Sequence, residues 1–205
     1  MPSSLISARR LAPRPRTAVQ TRVLTTALEM FADYGVSATS YQMIADALGV
    51  TKAAIYNKFK TKDELVLAVA EMELARLEDA VEEAEGQDNS ETPARLLARV
   101  VEHAVEHRRA AHILQFDPVV VRLLSQHPPF QQFLDRLYAA LVPGEHEPGA
   151  RVQLAMLMSA LGGTVTHPLV AGLDDDTLRS ELLDRTRQLL DSAKRAKGRP
   201  RARRP

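Results

Sequence analysis

Residues 39–59 read TSYQMIADALGVTKAAIYNKF. Two short apolar periods meet at Gly49-Val50. Thr39-x-x-Gln42 has the form of a capping box, which opens a helix with Ile44, Ala45 and Leu48 on its apolar side. Gly49 ends that helix early. Thr51 caps a second helix, which carries Ile55 and Phe59. Glycine tolerates the positive φ that a tight turn needs. Ala45 keeps the crossing point thin. Two short helices joined this way have the form of a helix-turn-helix.

With Ile44, Leu48, Val50, Ile55 and Phe59 expected in a small core, the second helix offers Thr51, Lys52, Ala53, Ala54, Tyr56, Asn57 and Lys58 to its surroundings. Lysines neutralise phosphates, and hydroxyls and N-terminal amides donate hydrogen bonds to them. Small alanines allow deep entry into a major groove, where a methyl meets thymine. Tyr56 is expected on this outer side because Ile55 and Phe59 fill the inner one. Lys58 and Lys60 read equally as contacts or as solvent lysines.

The pattern outward from this stretch is helical nearly throughout. Val19, Val23, Ala27, Phe31 and Tyr34 recur every three or four residues, and this stripe places Tyr34 in the core. Gly35 ends that helix. Thr61-x-x-Glu64 forms another capping box and opens a long acidic helix with Leu65, Val69 and Met72 on one side. Thr92-Pro93 and Asp117-Pro118 mark further helix starts. The last two helices are expected near 148–167 and 174–196. About nine helices and no alternating strand pattern give an all-α fold.

The run ALEMFADYGVSATSYQMIADALGVTKAAIYNKFKTKDEL, with the match running from about Thr17 to Glu71, resembles the TetR family of bacterial repressors. The resemblance implies an all-α homodimer with an N-terminal three-helix DNA-binding domain and a C-terminal helical body that holds a ligand pocket and the dimer contact. It divides the chain into a basic N-terminal arm (1–16), the helix-turn-helix domain (17–60), a ligand-binding and dimerisation domain (61–193) and a basic tail (194–205). Carried over by position, Thr39, Lys52, Tyr56 and Lys62 are candidate phosphate contacts, with Ser40 and Lys58 as further DNA-binding candidates. Gln42, Thr51, Ala53, Ala54 and Asn57 are base-edge candidates. Ala53 stands where the family often has glycine, and Asn57 and Lys58 where it often has histidine or tyrosine, so the operator sequence does not follow from relatives.

In the body, Leu96, Val100, His103, His107, Ala110 and Leu114 are spaced to share one face of a single helix from Pro93. His103 and His107 there admit three readings: ordinary core or surface histidines, polar anchors of a pocket, or two metal ligands that lack an evident third. The expected pocket lining is Val100, His103, His107, Leu114, Phe116 and Met156, with His112 and Gln115 close by. Aromatic residues make up 4% and tryptophan is absent, which favours an aliphatic or mixed small-molecule effector over a flat dye. Ala155, Ser159 and Gly163, with Leu178, Leu182 and Leu189, are the expected dimer contacts through the last two helices.

The formal net charge of +1 hides an asymmetry. Residues 1–62 carry +6, residues 63–193 carry −12, and residues 194–205 carry +7. Basic ends on an acidic body point to a polyanion at the ends. Arg9, Arg10, Arg14 and Arg16 form either a minor-groove arm or a disordered one. The 205 residues include no cysteine, which excludes disulfides and thiolate metal sites and suits a reducing compartment. No apolar run reaches the roughly 20 residues of a membrane span, so a cytoplasmic protein is expected. No nucleophile motif, phosphate loop or cofactor fingerprint appears, so no enzyme, cofactor or metal is expected. The leading reading is a ligand-responsive repressor on a pseudo-palindromic operator. The alternative is a DNA-binding dimer without a small-molecule ligand.

Overall fold

The computed structural model describes Leu11 and residues 16–85, 91–142 and 148–197, with side chains at all of these but 150 and 190–197. Among the described residues the chain is all-helical: α1 (Ala18–Tyr34), α2 (Tyr41–Leu48), α3 (Lys52–Tyr56), α4 (Lys62–Glu85), α5 (Thr92–Glu106), α6 (Arg108–Phe116), α7 (Pro118–Ser125), α8 (Pro128–Leu141), α9 (Pro148–Thr164), a 3₁₀ turn (Pro168–Val170) and α10 (Asp175–Lys197). There are ten α-helices where about nine were expected. The helix expected to run from Pro93 past Leu114 stops at His107, whose φ of −117° and ψ of 44° leave the helical region.

The helices form two compact units, Met1–Glu83 with Arg109–Leu137 and Ala84–Arg108 with Tyr138–Pro205. These do not follow the division at residue 60 expected from the sequence. In the first unit Val23, Leu24, Ala27 and Phe31 of α1 meet Ile44 and Ala45 of α2, Ile55 and Phe59 around α3, Leu65, Val66 and Val69 of α4, and Ile113, Val120, Leu123 and Leu124 of α6 and α7. The helix-turn-helix pair thus shares one apolar core with helices far along the chain. Burial of each large apolar side chain contributes about 1.5–3 kcal/mol. In the second unit α10 packs on α5 and α9. Leu178 and Leu182, expected at a dimer contact, are 1% and 8% exposed. They belong to that unit's own core, because the apolar face of α10 turns onto α5.

Local chemistry explains the helix ends. Thr17 and Gln20 form a complete capping box at the start of α1, a motif readable in the sequence but missed there. Gly35, at φ 80°, closes α1 with its N–H on the Phe31 carbonyl. The cap of α2 is Ser40, whose Oγ accepts from the Met43 amide at 3.2 Å, one residue beyond the expected Thr39. Gly49, at φ 66° and ψ 34°, is left-handed as the turn demands. Thr61 accepts from the Glu64 amide at 3.1 Å, and the Glu64 carboxylate reaches the Lys60 amide at 2.7 Å.

The stripe of α1 is shorter than its period implied. Val19 and Tyr34 are both 59% exposed. The period assigns residues to a face, but no neighbour covers this face at either end of the helix. Val50, expected in the small core, is 44% exposed.

The N-terminal segment also departs from expectation where it is described. Leu11 is buried, and its N–H donates to both carboxylate oxygens of Glu78 at 3.0 and 2.9 Å. Arg16 pairs with Glu71 of α4 at 2.9 Å. Arg16 is therefore held on α4 and is not part of a free arm. Arg9, Arg10 and Arg14 lie outside the described residues, as does the tail beyond Lys197. No helix among the described residues is long and apolar enough to cross a membrane.

Candidate nucleic-acid interface

The five-residue helix α3 is rooted by two side chains. Ile55 is 1% and Phe59 4% exposed, while Thr51, Lys52, Ala53, Ala54, Tyr56, Asn57 and Lys58 are all exposed. The Thr51 Oγ1 caps α3 by accepting from the Ala54 amide at 3.2 Å, which leaves the hydroxyl proton for a partner. The result is a short helix whose inner side is apolar and whose outer side carries donors, a cation and two methyls.

Tyr56 stands 51% exposed beside this face. Its ring lies edge-on to Tyr41, with centroids 6.4 Å apart, and the Lys60 ammonium sits 5.3 Å from its centre. The Lys60 contact was not assigned from the sequence, although a cation four residues after an exposed tyrosine was a usable signal. The Tyr41 hydroxyl donates to the Phe59 carbonyl at 3.0 Å. Burial, with Glu64 and then Tyr56 nearby, pushes the Tyr41 phenol up to about 12. It is a neutral structural donor that ties α2 to the end of α3.

Of the other candidates, Ser40 and Gln42 are exposed on the first turn of α2, and Gln42 donates to Asp46 at 2.7 Å. The Lys62 ammonium donates to the Ser37 carbonyl at 3.0 Å, which places a positive charge at the start of α4 beside the α1–α2 turn. Thr39 does not join this surface. It is 2% exposed and donates its hydroxyl to the carbonyls of Gly35 and Met30 at 2.9 and 3.2 Å. Its single proton is spent inside, and it is withdrawn as a phosphate contact.

Comparison with known proteins addresses the same segment. The family model for bacterial regulatory proteins of the tetR family matches residues 23–69. Residues 23–69 therefore carry the DNA-binding segment of the TetR family. The chain is 27% identical over 190 residues to the HTH-type transcriptional repressor Rv3405c of Mycobacterium tuberculosis, covering 89% of this chain and 95% of that one. It is 46% identical over 50 residues to the HTH-type transcriptional regulator AcrR of Shigella flexneri, covering 24% and 23% of the two chains. The fold of the fatty acid degradation regulator FadR from Bacillus halodurans superposes with a TM-score of 0.64, over 84% of this chain and 96% of that one, at 15% identity. The matched segment is that of DNA-binding transcriptional regulators, and these relatives are named as such regulators.

The residues expected to line an effector pocket divide between the two units. Leu114 and Phe116 lie in the first, and Val100, His103, His107 and Met156 in the second. Leu114 packs against the first unit's core. Phe116 is 45% exposed and lies tilted by 40° against His112, with ring centres 5.0 Å apart. Met156 is 68% exposed. Those two side chains lie on the surface of their own units and not in a cavity. Val100 is buried in the second unit. His103 and His107 are half-buried and stack at 4.6 Å where α5 ends. Among the described residues, no three of His, Cys, Asp or Glu gather as a metal-binding group.

On α9, Val152 and Met156 are 59% and 68% exposed, and Ala155 and Ser159 are exposed between and beyond them. With half-buried Gly163 they form one stripe at helical spacing. Leu189 of α10 is 51% exposed.

Proposed function

We propose that this TetR-family regulator is a repressor that binds a pseudo-palindromic operator as a homodimer and is released by a small molecule. The observation that carries the reading is α3, held by Ile55 and Phe59 alone and presenting its whole remaining surface. Inserted in a major groove, Ala53, Ala54 and Asn57 face base edges with Gln42 and Thr51 at the margin. Lys52, Tyr56, Lys58, Lys62 and Ser40 meet the backbone. Two copies place two such helices about one DNA turn apart, roughly 34 Å.

The dimer pairs through α9 and α10. Support comes from the exposed α9 stripe of Val152, Ala155, Met156, Ser159 and Gly163, joined by Leu189. Small residues at alternate turns let two helices approach closely, and the larger apolar ones lose water when paired.

The effector is an apolar or mixed small molecule, and Val100, His103 and His107 remain its proposed contacts on α5. A ligand favouring the conformer with the wrong spacing opposes operator binding through a coupling of about 1–3 kcal/mol. The protein acts in the cytoplasm, where its DNA lies.

The test is selection of genomic fragments by the purified protein, followed by footprinting. The expected result is a palindrome with half-sites about one turn apart. Recovery of no palindromic site overturns the reading. A recovered operator whose complex no metabolite extract dissociates leaves a DNA-binding dimer and removes the effector.

A further inference from the structure

Three residues of the first unit share one face of α6 and its exit: Arg109, Ile113 and Asp117, at intervals of four. All three engage the end of α1 and the turn that follows. Arg109 pairs with Asp33 and donates to the Glu29 carbonyl at 3.4 Å. Ile113, 5% exposed, enters the apolar cluster that holds Phe31 and Val36. Asp117 spends its two oxygens on two different elements. Oδ1 caps α7 by accepting from the amides of Val119 at 2.9 Å and Val120 at 3.3 Å. Oδ2 accepts from the Val36 amide at 3.0 Å.

Val36 is fully buried, so its N–H has no water to turn to and must be met inside. Gly35 shapes the turn through its φ of 80°, which suits glycine, while a Cβ there would meet Asp117 Oδ2 only at an ordinary contact distance of 3.9 Å. The same turn is closed from the other side by the Thr39 hydroxyl on the Gly35 carbonyl at 2.9 Å. The turn that leads into α2 is therefore fixed by a carboxylate 81 residues away in sequence.

We propose that Asp117 is a positioning residue for operator recognition, outside the DNA-binding helices, because one carboxylate joins the first turn of α7 to the α1–α2 turn. The inference rests on the DNA-binding reading above. A turn held before DNA arrives need not be ordered on binding, and pre-organisation of that kind strengthens association. Only a carboxylate of this length serves both elements. Asn has one acceptor oxygen, and the hydroxyl of Ser is too short to reach past the cap.

The experiment compares wild type with Asp117→Asn and Asp117→Ser, both of which retain a good helix cap. Amide hydrogen exchange at Val36 is followed in the free full-length protein. Operator affinity is measured across a salt series well below the melting temperature. The expected result in both variants is at least tenfold faster exchange at Val36 and operator binding three- to tenfold weaker, with the slope of log K against log salt unchanged because no phosphate contact is removed. A purely structural role would lower the melting temperature and leave the affinity of folded protein intact, and that outcome overturns the proposal. Unchanged Val36 exchange in both variants overturns it as well. Should Asp117→Asn fail to fold, Asp117→Ser alone decides. If wild type binds no operator at all, the DNA-binding reading fails and the proposal falls with it. Retained affinity beside lost Val36 protection sinks the proposal only.

Discussion

The Tyr41 hydroxyl and the Phe59 carbonyl are joined by a 3.0 Å hydrogen bond that closes the helix-turn-helix from the first residue of α2 to the residue after α3's last turn. Replacing Tyr41 by Phe keeps the ring and leaves a carbonyl unmet, at a cost of about 1 kcal/mol at neutral pH. The folded phenol titrates near 12 against 10 for an ordinary one. Its contribution is complete below pH 10 and is lost as pH rises through 12, since only the unfolded chain gains the ionised phenol in between. Urea midpoints measured from pH 7 to 12 are expected to show the gap between wild type and Tyr41→Phe closing above pH 10. A gap that widens there contradicts the assignment.

Lys52 is exposed on the outer face of α3 and holds up no part of the core. Lys52→Ala is expected to melt within about 0.5 kcal/mol of wild type. In operator titrations it reduces the salt slope by about 1, the signature of one lost phosphate. Tyr56→Ala removes the ring between Tyr41 and Lys60 and weakens binding without unfolding α3. If both variants keep wild-type affinity at physiological salt, the contact assignment is wrong.

Met156 and Leu178 lie on neighbouring helices and separate two roles. Met156→Glu puts a charge on the exposed α9 stripe and is expected to raise the dimer dissociation constant at least tenfold, about 1.4 kcal/mol, as read by sedimentation. Leu178→Ala empties a fully buried site and costs about 2–5 kcal/mol of folding stability. A monomeric but normally stable Leu178→Ala variant would reverse the two assignments.

Glu71 accepts from Arg16 and faces His127 at 3.5 Å, yet burial outweighs these neighbours and raises its carboxyl above the ordinary 4.5. A raised carboxyl contributes stability below the unfolded value and loses it as pH climbs through the folded one. Glu71→Gln is therefore expected to melt higher than wild type at pH 7 and level with it near pH 4. Scanning calorimetry at the two pH values decides, and a variant that melts lower at pH 7 rules the sign out.

The helix-turn-helix was legible because its punctuation is local. Gly49 has few alternatives at a left-handed turn, and Ile55 on α3 and Phe59 just beyond it are the only large aliphatic or phenyl side chains in residues 51–59. Tyr34 was misplaced because periodicity says which residues share a face but not how far along that face a neighbour reaches. Thr39 and Ser40 are adjacent hydroxyls, and either satisfies the capping pattern. Which one caps depends on the Gly35 turn, where Thr39 finds carbonyls to bond. The break at His107 has no glycine or proline to announce it. Leu178 and Leu182 advertised burial correctly, but an apolar face does not name its partner.

The short α3 has a consequence for how such a regulator changes over generations. Ala53, Ala54 and Asn57 are all exposed, so under the proposed reading a new side chain at any of them alters which DNA is read while Ile55 and Phe59 keep the scaffold in place. A duplicated copy could drift to a new operator through those three positions without passing through an unfolded ancestor. The same freedom is denied to Ile55, one residue away.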